Sequence, residues 1–78
     1  MNWTDRIGSD PSTCGGRPHV KGTRLTVEFL LGLKAAGWTE VLIIESYPQL
    51  SEEDLRAVFS FAQALIEEEK YRPLPNVA

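Results

Sequence analysis

The sequence predicts a mainly α protein of one domain over residues 1–78. A β/loop arm over 1–25 leads into a unit of three helices over 26–70, and an extended tail over 71–78 follows. Three observations predict this. Turn formers interrupt every would-be element up to Leu25, namely Gly8, Asp10-Pro11, Gly15-Gly16, Pro18 and Gly22. From Thr26 onward apolar residues recur at spacings of three and four, the period of a helix with one buried face. A chain of 78 residues with 42% hydrophobic content buries only roughly 60–65% of the surface its unfolded form exposes, too little to divide between two cores.

In the arm, helices are excluded. Arg6-Ile7 and His19-Val20-Lys21 read as strands of two or three residues, paired through the turn Ser9-Asp10-Pro11-Ser12 or with another chain. The first helix opens on Thr26, a good N-cap, and Glu28 suits its positive start. Val27, Leu30, Leu31 and the stem of Lys34 define its apolar face, widened by Phe29, Leu33 and Ala36, and Gly37 stops it. Thr39 caps a short second helix in which Val41, Leu42, Ile44 and Glu45 lead to Tyr47. Pro48 ends it, because the residue before a proline is pushed out of helical geometry.

The third helix has the strongest start signal. Ser51 with Asp54 at N3 forms an acidic variant of the capping box, and Leu50 with Leu55 can close a hydrophobic staple. Leu55, Val58, Phe59, Ala62, Leu65 and Ile66 predict one continuous buried stripe to about Lys70, with Trp38, Tyr47 and Leu50 near the corners. Helix two, the turn Pro48-Gln49-Leu50 and helix three have the lengths of a helix-turn-helix, an arrangement that also occurs in bundles that bind no DNA.

Charge narrows the function classes. The net charge is -3, but Arg17, Lys21 and Arg24 form a cationic cluster with no acid between them. Glu52-Glu53-Asp54 and Glu67-Glu68-Glu69 form two acidic ones. The single cysteine, Cys14, excludes an internal disulfide and fits a reducing compartment. No stretch approaches the roughly 20 apolar residues of a membrane span, and the first residues lack a basic segment followed by an apolar run. A cytoplasmic protein without a membrane partner is expected.

The stretch "GGRPHVKGTRLTV", residues 15–27, is the chemically richest in the chain. A phosphate cradle needs a lysine directly before the Ser or Thr that opens a helix; here the order is Lys21-Gly22-Thr23, and Pro18 removes a backbone donor. Cys14 and His19 are too few ligands for zinc and lack an orienting partner for nucleophilic catalysis. No enzyme activity and no cofactor are expected. Nucleic acid remains, with Arg17, Lys21, Thr23 and Arg24 as candidate contacts. A solvated turn in which Arg24 pairs with Glu28 or Asp54 is an equal alternative. The acidic triplet at the start of the third helix opposes docking of that helix in a DNA groove. Glu67, Glu68 and their neighbours Phe59 and Tyr71 are candidate contacts for a protein partner, because acids at a helix C-terminus oppose the macrodipole and suit a basic surface.

Ile7-Gly8-Ser9-Asp10-Pro11, then "GGRPHVKGTRLTV", then Gly37-Trp38 and "YPQLSEEDLRAVFSFA" resemble the domain-of-unknown-function family 433 across nearly the whole chain. The matching residues are Gly16, Pro18, Gly22, Thr23, Arg24, Tyr47, Pro48 and Leu50. Cys14 and His19 depart from the family pattern, in which aliphatic or small residues are usual there. The resemblance implies a homeodomain-like helix-turn-helix fold with a short N-terminal β segment, and a homodimer. It also implies an antitoxin-like role in a type II toxin-antitoxin pair, neutralising a PIN-type nuclease toxin encoded nearby and binding DNA for autoregulation. A stand-alone DNA-binding transcription regulator, or an interaction domain without nucleic acid, is the alternative.

Overall fold

In the computed structural model, which describes residues 2–69, strands β1 (Ile7–Gly8) and β2 (His19–Val20) precede three helices: α1 (Val27–Ala35), α2 (Glu40–Ser46) and α3 (Glu52–Glu69). The fold is mainly α with a short N-terminal sheet. The strands pair antiparallel, Ile7 opposite Val20 and Gly8 opposite His19. Single 3-10 turns form at Trp3–Asp5 and Cys14–Gly16, so the expectation of an arm without any helix is corrected. A three-residue 3-10 turn needs one hydrogen bond and tolerates glycine, as at Gly15 with φ 64°. The expected tail over 71–78 lies outside the described residues.

Helix boundaries follow the caps. The Thr26 Oγ1 accepts the Phe29 N–H at 3.0 Å and the Thr39 Oγ1 accepts the Leu42 N–H at 3.1 Å. At the end of α1, Gly37 takes φ 97°; its N–H donates to the Lys34 carbonyl at 3.0 Å and the Trp38 N–H donates to the Leu33 carbonyl at 3.1 Å. These paired bonds satisfy carbonyls the helix leaves open, and only glycine enters that conformation without a Cβ penalty. The capping box at α3 is reciprocal. The Ser51 N–H donates to Asp54 Oδ2 at 2.9 Å and the Asp54 N–H donates to Ser51 Oγ at 3.2 Å, an arrangement that contributes about 1 kcal/mol.

The core consists of Ile7, Val20, Val27, Leu30, Ile43, Leu50, Leu55, Ala57 and Val58. Both strands and all three helices contribute to it, which makes the arm part of the fold. Trp3 meets Phe61 of α3 edge to face with ring centroids 4.8 Å apart. The sequence names no buried residue for α2, and on α3 one detail of the expected core is corrected. On α2 the buried residue is Ile43, 1% exposed, while Val41 and Leu42 are 67% and 43% exposed; in a helix of seven residues the period is too short to show which side faces inward. On α3 the stripe does not stay buried to the helix end: Leu65 is 41% and Ile66 56% exposed. Burial there is set by where the neighbouring elements stop. Among the described residues no helix is long and apolar enough to cross a membrane.

Candidate interaction surfaces

The motif-bearing stretch folds as a turn, a strand and a second turn. Cys14 takes φ 54° and Gly15 and Gly16 take φ 64° and 81°, so the chain reverses before Arg17. After β2 it turns again through Lys21-Gly22-Thr23-Arg24 and comes back beside β2. The Val20 N–H donates to the Leu25 carbonyl at 3.0 Å and the Val27 N–H to the Pro18 carbonyl at 3.0 Å, with His19 bridging Thr26. Gly22, at φ 82°, supplies the left-handed residue at the tip. The stretch is a hairpin whose return strand runs straight into α1.

Three of its four candidate contact groups already have partners within the fold. The Lys21 Nζ donates to the Thr4 carbonyl at 2.9 Å, its stem lying over Gly8, where an added Cβ would meet Lys21 carbons at 3.2 Å. The Thr23 hydroxyl donates to the Val20 carbonyl at 2.8 Å and accepts the Leu25 N–H at 3.0 Å. Arg17 pairs with Glu28 at 3.4 Å, both side chains strongly exposed. Arg24 is exposed and forms no ion pair among the described residues, so the expected pairing of Arg24 with Glu28 or Asp54 is corrected. Those two acids take Arg17 and Arg6 instead. Lys21, Thr23 and Arg24 do come together, lining an open groove of about 570 Å³ with Ser9, Asp10 and His19.

Arg6 is the residue that sequence reasoning missed. Its guanidinium reaches Asp54 at 3.0 Å and Glu53 at 3.2 Å, so two members of the acidic triplet at the start of α3 face a cation of the arm. Asp54 is buried and bonded to Ser51 and Arg6 together. The triplet is thus partly a structural joint. In the groove lining, Asp10 accepts the Ser12 N–H at 2.9 Å and the Ser12 hydroxyl at 2.8 Å, and these bonds hold its carboxyl below the usual carboxylate value. His19 is buried, its Nδ1 3.1 Å from the Arg17 carbonyl. Among the described residues no three His, Cys, Asp or Glu side chains gather as a metal site.

The helices carry the uncovered large apolar groups. The start of α1 meets the end of α2, where Phe29 packs edge to face on Tyr47 at 5.8 Å, and Val41 and Leu42 stand out at the start of α2 between Glu40 and Glu45. Pro18, Val27, Leu31, Phe61 and Leu65 line an apolar groove of about 500 Å³ with Arg17 and Glu28 beside them. Of the candidate partner contacts, Glu67 and Glu68 are exposed at the end of α3, Phe59 is half-buried, and Tyr71 lies outside the described residues.

The family model described as "Protein of unknown function (DUF433)" matches residues 7–62, from β1 through the hairpin to the middle of α3. The chain belongs to the DUF433 family. A crystal structure of a DUF433 member protein from Anabaena variabilis superposes with a TM-score of 0.75 at 28% identity, covering 81% of this chain and 62% of that one. The uncharacterized protein y4eO of Sinorhizobium fredii is 34% identical over 58 residues, which is 74% of this chain but 26% of that protein. The present chain thus spans about a quarter of that curated relative. The DUF433 match includes Gly16, Pro18, Gly22, Thr23 and Arg24, and here the Thr23 hydroxyl and the positive φ of Gly22 shape the hairpin.

Proposed function

We propose that this DUF433 protein is a non-catalytic, antitoxin-like module that works by covering a protein partner, with a PIN-type nuclease toxin as that partner. One observation carries the reading: at the α1–α2 corner, Val41 and Leu42 are exposed on a helix whose only charges are Glu40 and Glu45. A nuclease binds nucleic acid through a cationic groove, and an apolar ridge edged with carboxylates is complementary to such a groove. The resemblance to antitoxin-like proteins points the same way. Co-expression with the product of the adjacent reading frame is expected to give a stable complex and to restore growth, and Val41→Asp with Leu42→Asp to weaken the complex at least about tenfold. No complex and no rescue of growth sink the proposal.

Autoregulatory DNA binding is favoured by one observation, the exposed Arg24 beside the hairpin tip. Affinity for the protein's own upstream DNA then falls with salt, and Arg24→Ala lowers the slope of log K against log salt by about one. An unchanged slope removes the DNA arm.

A further inference from the structure

The apolar groove beside α3 runs on into a second hollow. Val27, Leu31 and Leu65 wall the groove, Trp3 and Ile7 wall a smaller hollow of about 230 Å³, and Pro18 and Phe61 line both. The two charges at the groove rim, Arg17 and Glu28, pair with each other, so the seat suits a neutral apolar occupant. Leu65 lies past residue 62, where the family match ends, and so does the segment that follows α3.

We infer that this segment, residues 70–78, doubles back and lays Pro73-Leu74-Pro75 in the groove of its own chain. Its reach fits. Leu74 stands five residues after Glu69, the last residue of α3, a span of at most about 17 Å when extended. Leu65 and Phe61 lie only about 6 and 12 Å back along the helix from the same point. Its composition fits as well. From Pro73 to Ala78 no residue is charged, and the two prolines, whose φ is fixed, give up little freedom on docking. A proline cannot continue a helix, so Pro73 turns the chain off the axis of α3. The reversal carries Lys70 and Arg72 past the exposed Glu67 and Glu68, where cations relieve the clash between those acids and the negative end of their helix. The tether holds the segment at an effective concentration on the order of millimolar, so a modest contact is enough to fill the groove. Val41 and Leu42 stay uncovered, which keeps this inference independent of the partner assigned to them.

Isotope-edited NMR of the full chain is the test. Expected are nuclear Overhauser contacts from the Leu74 methyls to the Phe61 ring and the Leu31 methyls, unchanged on dilution and absent between copies in a mixture of labelled and unlabelled protein. Leu65→Asp, at an exposed position of α3, is expected to lower the docking equilibrium constant at least about tenfold without loss of helicity. Leu74→Ser is expected to move the Phe61 and Leu31 signals in the same direction as Leu65→Asp does. Leu74 methyls at the shifts of a free leucine overturn the inference and leave the groove to a separate protein. Contacts that run only between copies overturn it in favour of a second copy. Contacts that survive Leu65→Asp at full strength, or that land on Val41 and Leu42, overturn it equally, whatever the co-expression experiment shows.

Discussion

Residues 7–26 are anchored by Ile7 and Val20 but shaped by hydrogen bonds to backbone carbonyls, whereas α2 and α3 are held by the apolar side chains they bury and shaped by their caps. The arm carries most of the family's signature residues, yet uses Lys21, Thr23 and Gly22 on its own geometry. The helices look less distinctive and leave apolar surface over. A concentrated motif in a small protein can therefore mark how the chain turns, while the uncovered apolar surface lies elsewhere.

Three substitutions separate the two regions. The largest effect belongs to the helices: Leu55→Ala, at a site 2% exposed, is expected to cost about 2–5 kcal/mol through lost burial and the cavity left, read as a lower urea midpoint with protection lost across arm and helices together. If only the helices lose protection, the arm is an independent unit. Thr23→Val comes next. It keeps the shape but strips the Val20 carbonyl and the Leu25 N–H of their shared partner, at about 1–2 kcal/mol. Hydrogen exchange is expected to quicken at Val20 and Leu25 first, with α3 protected to near the global limit; a uniform loss would erase the distinction between the regions.

The smallest effect is the pH dependence of Asp10. Its carboxyl is lowered from 3.8, first by the Ser12 backbone bond and then by the Ser12 hydroxyl. A carboxyl lowered in the folded state stabilises above its unfolded pKa, and that contribution fades as pH falls through the lower folded value. Asp10→Asn keeps an accepting oxygen but cannot titrate. Wild type is expected to lose slightly more stability than Asp10→Asn between pH 7 and pH 3, measured as urea midpoints. Equal losses would mean that the Ser12 bonds are not held in solution.

The legible parts of the fold were those written in local chemistry. Thr26, Thr39, Ser51 with Asp54, and Gly37 act on residues within a turn of themselves, and their spacing alone places the helix ends. The strands at Ile7 and His19-Val20 were bounded by turn formers in the same way. The buried position of α2, Ile43, is not legible in the sequence, because two turns of helix cannot fix an inward direction without the elements that cover it. Lys21 and Thr23 were read as free to bind because their partners are backbone carbonyls, and every residue has one, so nothing in the side-chain sequence marks which is near. Arg6 was missed for a related reason: its acceptors lie 47 and 48 residues away.

That last separation has a consequence for the order of events during synthesis. Arg6 is made before Glu53 and Asp54, which follow 47 and 48 positions later, a delay of roughly 2–10 s at translation rates of about 5–20 residues per second. Until then Ile7 and Val20 have no helix α3 to cover them. The arm must wait on the ribosome for a segment 47 residues further on, and through that interval those two side chains stay open to chaperones and proteases.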